Sequence, residues 1–364
     1  MFSKLRPTNE AAEKRRFFAA VRRGKVYNPL FQYSDEAFCQ EVIAAFDTVF
    51  YTNAYAEMAE KILDAVIAKY GDGAQYKALV WGRQISPKHS LNRAREYIQE
   101  HNLSAKAVMG DTMVTTMGNK TLNLVPTPGY YRDIRLESLL DHELSVHYIR
   151  RVNHRNLESN IRKSLRGQRA QWVSSQLSTE HTVQPNISRL LEKQSLTMDE
   201  EGLASLVTHA WYTNCYLLFQ PALCNYIVHQ ARRLSFHDLY QLIVKKGYCV
   251  DEDDAWTQVM RAKRGCRDTS IPGAFCKDIL YFIGAIRLLD ELDRVDLRLL
   301  FLGKLRLEEY YSLSRYLCQN LHDSISSDEQ GKACLPHFLA TPSDAEKYME
   351  RLQAVKRENF KFCV

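Results

Sequence analysis

Residues 135–153 read RLESLLDHELSVHYIRRVN and place His142, Glu143 and His147 inside one run of helical periodicity. Two imidazoles and a carboxylate this close point to a metal ion. An α-helix turns about 100° per residue, so histidines four positions apart stand roughly 40° apart and can face one ion. Here the interval is five, which sets them roughly 140° apart in a regular helix, too wide for a single tetrahedral ion. The two rings share an ion only if the helix carries a one-residue π-bulge that absorbs the extra position, a device that clusters at functional sites; otherwise they are two unrelated histidines on the helix surface. A site with two histidines also needs a third protein ligand, commonly a carboxylate from a second helix, with water completing the shell. Asp199-Glu200-Glu201-Gly-Leu-Ala opens such a helix downstream, and Tyr-Tyr-Arg-Asp-Ile-Arg leads into the first one.

Outward from this core, the helical period dominates. NAYAEMAEKILDAVIAKYG at 53–71 places Ala54, Met58, Ile62, Val66 and Ile67 at helical spacing and ends in glycine. SPKHSLNRAREYIQEHN follows with a Ser-Pro start. Residues 105–125 change character: β-branched residues, alternation and a Gly-Asn dipeptide at 118–119 predict two paired strands. After the Pro-Thr-Pro-Gly break at 126–129, helices are predicted over 135–153, 200–218, 222–233, 235–246, 252–262, 276–290 and 305–317. The fold class is α+β, predominantly helical, with a small β-sheet beside the metal-site helix. Residues 154–196, rich in Ser, Gln, Arg and Asn, interrupt this layout and are expected to form an inserted or mobile segment. The expected organisation is a basic segment over 1–29 ahead of one catalytic domain over 30–364.

With 364 residues, 45% hydrophobic and 25% charged, the chain has the profile of a globular protein. No stretch approaches the roughly 20 apolar residues of a membrane span, and the start lacks the apolar centre of a signal peptide. A cytoplasmic setting without a membrane partner is expected. The nine cysteines are scattered, with no C-x-x-C pair, and read as reduced, mostly buried thiols. None has a neighbouring histidine at a recognisable spacing, and neither glycine-rich phosphate-binding pattern occurs, which argues against cysteine-nucleophile and nucleotide chemistry. The net charge is +6, and residues 1–29 carry eight Lys and Arg against Glu10 and Glu13. A second basic cluster, Arg155, Arg162, Lys163, Arg166 and Arg169, is opposed by Glu158 alone. Both suit an acidic partner or simply a solvated helix face.

LLDHELSVH followed by EEGLASL resembles the microtubule-associated tyrosine carboxypeptidases and their bacterial relatives named for a Gln-Glu-Gly-Leu-Ala motif. Asn28-Pro-Leu-Phe-Gln-Tyr, Gly110-Asp-Thr-Met-Val-Thr, Arg261-Ala-Lys-Arg-Gly and Asp268-Thr-Ser-Ile-Pro-Gly-Ala-Phe-Cys-Lys-Asp-Ile-Leu-Tyr extend the resemblance over about residues 26–340. It implies one zinc ion held by His142, His147 and Glu201, with Glu143 as general base. Glu200 stays as the rival third ligand. The spacer at 154–196 is longer than expected for the animal members.

The same resemblance implies removal of the C-terminal tyrosine of α-tubulin, so the α-tubulin tail and microtubules are the expected partners and a cytoskeletal location follows. Nucleic acid is not expected. Metal-assisted hydrolysis needs a second donor for the developing oxyanion, and Tyr281, Arg132 and Arg135 are candidates. A terminal carboxylate needs a fixed cation, and Lys263, Arg264 and Lys277 are the local supply. Phe275, Tyr281 and Phe282 are candidate walls for an aromatic side chain. Two other functions remain open: a peptidase acting on another C-terminus, and a non-catalytic microtubule- or nucleic-acid-binding protein, against which the acid beside the metal ligand argues.

Overall fold

Helix Thr197–Ala210 is the spine of the structure, buried at every position from Asp199 to Ala210. A helix can be apolar-facing all round only if neighbours cover every side. Here Leu280–Asp290 lies along one flank, the 141–148 turn along another, and Pro342–Phe360 and Pro185–Ser195 close the rest. The closest approach is between Gly202 and Gly284: a Cβ on Gly202 would overlap the Gly284 carbonyl carbon, and one on Gly284 would overlap the Met198 carbonyl oxygen. Small residues at both crossing points let two backbones touch.

The computed structural model describes residues 2–110, 114–177, 185–195, 197–213, 215–325 and 335–363. Over these residues the fold is α+β and predominantly helical. Four helices, Glu10–Val21, Glu36–Phe50, Ala56–Tyr70 and Gly73–Val80, precede the first strand, and a fifth, Pro87–Glu100, follows it. The last begins as its sequence predicts, with Ser86 accepting the His89 N–H and Pro87 in the first turn. Gly71 ends Ala56–Tyr70 at φ +94°, the left-handed region that suits glycine.

Strands β1 (Gln84–Ile85) and β5 (Tyr131–Arg132) pair antiparallel. Strands β2 (Lys106–Met109), β3 (Thr116–Met117) and β4 (Thr121–Leu124) form a second sheet in the order β2-β4-β3. The two strands predicted over 105–125 are therefore three: β3 and β4 make the hairpin around Gly118-Asn119, while β2 runs parallel to β4. Tyr131 joins the sheets, its hydroxyl 2.6 Å from Thr115 Oγ1 and accepting the Val125 N–H at 2.8 Å. This fixes the entry to the metal-site helix.

Segment 154–196 differs from its expectation. Ser159–Gln176 and Pro185–Ser195 are helices, burying Leu165, Val173, Ile187, Leu190 and Leu191. Arg169 sits in the same buried stripe because Glu309 takes its guanidinium at 2.7 and 2.8 Å. Residues 178–184 and 196 lie outside the described residues, as do Asp111, Thr112 and Met113 of the Gly110 block. The basic 1–29 segment contributes Leu5, Phe17 and Phe18 to the common core, where Phe17 packs on Phe236 and Trp256. The eight cysteines among the described residues are free thiols. No helix among the described residues is long and apolar enough to cross a membrane.

Candidate metal centre and active site

The long helix from Asp133 to Asn156 is α-helical at both ends and π-helical over Asp141–Tyr148. The wider turn brings positions five apart onto one face, so His142 and His147 converge with ring centroids 5.0 Å apart. Glu201 approaches from the spine helix, its Oε2 lying 3.4 Å from Nε2 of each histidine. Bonds of about 2.1 Å to a tetrahedral zinc would separate neighbouring donor atoms by roughly 3.4 Å. Glu201 Oε2 is also buried and accepts no hydrogen bond. Such an orphaned oxygen is costly unless a cation meets it. The three residues therefore fit a metal ion by spacing, by donor type and by this unmet demand.

Glu200 faces elsewhere. Its Oε1 lies 2.5 Å from Nδ1 of His147, the ring nitrogen turned away from Glu201. Lys304 Nζ donates to the same oxygen at 2.6 Å, and Arg150 Nη1 stands 3.7 Å from Oε2. A carboxylate on the far nitrogen fixes the tautomer and orientation of a metal-binding imidazole. Burial opposes ionisation of Glu200, but Lys304, His147 and Arg150 together hold its carboxyl well below the usual range. Burial likewise opposes the His147 imidazolium, yet Glu201 and Glu200 outweigh it and push the ring up to about 10. Glu200→Ala leaves Arg150 and Lys304 buried without their shared counter-charge, so we expect a loss of about 3–5 kcal/mol of stability. Chemical denaturation of metal-free protein measures this, and a loss under 1 kcal/mol would mean the cluster is solvated.

Glu143 is buried beside the two histidines and accepts the Met117 N–H at 2.8 Å. Burial raises its carboxyl above the ordinary range, partly offset by His147 and His142. Together with His142 it lines a cavity of about 140 Å³ whose walls include Val114, Tyr130, Leu139 and Pro221, with Arg135, Arg261, Gln220 and Tyr281 as polar groups.

The other residues singled out in the sequence divide sharply. Tyr281 and Arg135 line the cavity. Lys277 is not among the residues lining the cavity but stands beside the metal site, 3.6 Å from Glu201 Oε1 and 5.3 Å from the Tyr281 ring. Lys263 is elsewhere: fully buried, it donates to the carbonyls of Ala231, Leu234 and Ile271 at 2.9, 2.7 and 3.2 Å, pinning a loop. Arg264 stacks on Phe275 and pairs with Asp278 at 3.1 Å. Arg132 donates to the Gly82 carbonyl. Phe275 and Phe282 are fully buried core residues, not cavity walls. Arg150, Lys304, Tyr130 and Gln220 were not singled out, because only the tertiary fold brings them to the site.

The family model for microtubule-associated tyrosine carboxypeptidase matches residues 227–353. A mouse protein named microtubule-associated tyrosine carboxypeptidase 1 is 29% identical over 370 residues, covering 99% of this chain and 68% of its own length. The human protein of that name is 27% identical over 373 residues, with the same coverage. A mouse protein named putative tyrosine carboxypeptidase MATCAP2 is 27% identical over 363 residues, covering 98% of this chain and 61% of its own. The similarity to these microtubule-associated tyrosine carboxypeptidases runs over nearly the full chain, so it spans the His142–Glu201 site as well as the segment matched by the family model.

Proposed function

We propose that the protein is a zinc carboxypeptidase that removes the terminal tyrosine of α-tubulin, with His142, His147 and Glu201 holding one ion and Glu143 acting as general base. The observation that carries this is the convergence of an orphaned Glu201 oxygen on the imidazoles of His142 and His147, with His142 and Glu143 lining one cavity. Two imidazoles and a carboxylate are a donor set found in catalytic zinc sites. When bound there, the ion supplies a Lewis acid that acidifies water and polarises a carbonyl.

The protein's own groups then account for the rest. Glu143 takes the proton of the attacking water and returns it to the leaving amine, a role for which a buried carboxylate with a raised pKa is suited. Arg135 faces the cavity with Trp81 against its guanidinium and Ser138 Oγ at 3.4 Å, and among the described residues no carboxylate pairs with it. A half-buried, uncompensated cation is a receptor for an anion, here the free carboxylate of a chain end. Arg261 stands in the same cavity but already pairs with Asp278 at 2.9 Å. Tyr281 lines the same cavity, and we assign it the role of donor to the developing oxyanion. Val114, Tyr130 and Pro221 offer apolar surface for the departing side chain. The helix Ser159–Gln176 carries Arg162, Lys163 and Arg166 and no acidic residue, which suits an acidic tail or filament and a cytoskeletal, cytoplasmic location.

The test is elemental analysis of purified protein together with mass spectrometry of a peptide ending Glu-Gly-Glu-Glu-Tyr. One zinc per chain and loss of a single tyrosine are expected. Zinc with cleavage of other C-termini but not this one would redirect the substrate, and absence of both zinc and cleavage would favour a binding protein. In the same assay Arg135→Met should lower kcat/KM about 10- to 100-fold, mainly through KM, because a charged hydrogen bond to substrate is lost in ground and transition states alike. An unchanged KM would remove Arg135 from the carboxylate site.

A further inference from the structure

The strand that holds Glu143 is itself held by the helix that carries Glu143. Met117 lies on β3, an edge strand, opposite Leu122 of β4. Its neighbours spend their polar groups on the hairpin: Gly118 N–H donates to the Thr121 carbonyl at 2.8 Å, and Thr116 faces Asn123. In an antiparallel pair the residue between two such positions turns its N–H and C=O outward. Both outward groups of Met117 are taken. The N–H donates to Glu143 Oε2 at 2.8 Å, and the C=O accepts from Arg151 Nη2 at 3.3 Å. Arg151 Nη1 also donates to the Gly118 carbonyl, and one helical turn later Arg155 reaches Asn119 Oδ1 at the hairpin tip. Glu143 and Arg151, eight residues apart on one continuous helix, thus hold the two adjacent peptide units that flank Met117 along the same outer edge of the strand.

We propose that Arg151 is a positioning residue for the general base. By fixing the carbonyls of Met117 and Gly118 with one planar guanidinium, it holds the strand at Met117, whose N–H, in the preceding peptide unit, aligns the Glu143 carboxylate. The idea rests on the reading of Glu143 as the base. Arg151 is neither one of the metal-site residues nor a residue lining the cavity, so its loss should act on the reaction step and not on substrate or metal capture.

The experiment measures kcat, KM, bound zinc and thermal melting for Arg151→Met on the Glu-Gly-Glu-Glu-Tyr peptide. We expect kcat to fall about 10- to 100-fold, as small misplacements of reacting groups do, with KM and zinc content unchanged. Arg151→Lys should recover part of the loss, since an ammonium can serve one carbonyl but lacks the fork that spans two. Arg155→Ala, which releases only the exposed hairpin tip, should keep wild-type kcat. Met117→Pro deletes the N–H donor at an edge position where proline does no harm to the ladder. In that background Arg151→Met should add no further loss, because both act through one hydrogen bond. Full additivity in the double variant, or a wild-type kcat in a folded Arg151→Met, would overturn the proposal. So would a kcat loss that tracks melting temperature equally in Arg151→Met and Arg155→Ala. Should Arg151→Met fail to fold, Arg151→Lys in the two Met117 backgrounds decides the same question. A Glu143→Gln variant separates the two readings: if it still turns over, the base assignment fails, whereas an inactive Glu143→Gln beside a fully active Arg151→Met sinks the positioning role alone.

Discussion

Glu143→Gln should reduce kcat by about 10²- to 10⁴-fold while leaving zinc content, KM and fold intact, the range that removing a general base produces. The substitution is well posed because the structure shows what the side chain does at rest. Glu143 Oε2 accepts one amide N–H, from Met117, and a glutamine Oε1 can accept the same bond without moving. His142, His147 and Glu201 provide the metal donors without it, so the ion should stay. The replaced carboxylate is buried, with its ionised form disfavoured by burial, so a neutral isostere should melt no lower than wild type. The measurement is peptide cleavage by mass spectrometry beside elemental analysis and a melting curve. Turnover within tenfold of wild type would remove Glu143 from proton transfer. Loss of zinc together with turnover would mean that Glu143 helps to hold the ion, and the base would have to be sought elsewhere.

How much of this was legible in the chain depends on whether the information was local. The histidine spacing of five carried its own geometric demand, and the π-helical turn at Asp141–Tyr148 meets it, since no regular helix lets both rings face one point. The choice between Glu200 and Glu201 was not local. Consecutive helical residues point about 100° apart, and only the positions of Lys304 and Arg150 show which carboxylate turns toward cations and which toward the two Nε2 atoms. The run Arg261-Ala-Lys263-Arg264 makes the same point in reverse. Proximity in sequence suggested one cationic patch, but the helix and its end send Arg261 to the cavity, Lys263 into three loop carbonyls and Arg264 onto Phe275. Segment 154–196 looked like an excursion because its buried stripe runs through Leu165, Arg169 and Val173. An arginine at a core position hides the helical period from any hydropathy pattern, and its partner Glu309 is 140 residues away.

Gly202→Ala should be the most disruptive single-methyl change in the protein, costing at least the upper end of the ~1–3 kcal/mol typical of overpacking. In an open helix the same substitution gains up to about 1 kcal/mol, because alanine is the better helix former. What reverses the sign is the obstacle. The added Cβ meets the backbone of Gly284 and the Ala285 nitrogen, and backbone has no rotamer into which to retreat. Gly284→Ala collides in turn with the Met198 carbonyl, so neither helix can yield without displacing the other. The consequence for chemistry comes from the neighbour in sequence. Glu201 precedes Gly202, and a shift of the spine helix by several tenths of an ångström carries Oε2 away from the two histidines that it now approaches at 3.4 Å each. Zinc affinity should therefore fall along with stability in both variants, although neither alters a ligand. Gly167 is the internal control: it lies exposed within Ser159–Gln176, with nothing within 4 Å of an added Cβ, so Gly167→Ala should leave zinc binding untouched and raise stability slightly. Denaturation midpoints and zinc affinities for the three alanine variants check the argument. A Gly202→Ala protein as stable and as zinc-loaded as Gly167→Ala would show that the two helices do not meet at Gly202 and Gly284, and that the glycine of the Glu-Glu-Gly-Leu-Ala block serves something other than the close approach that places Glu201.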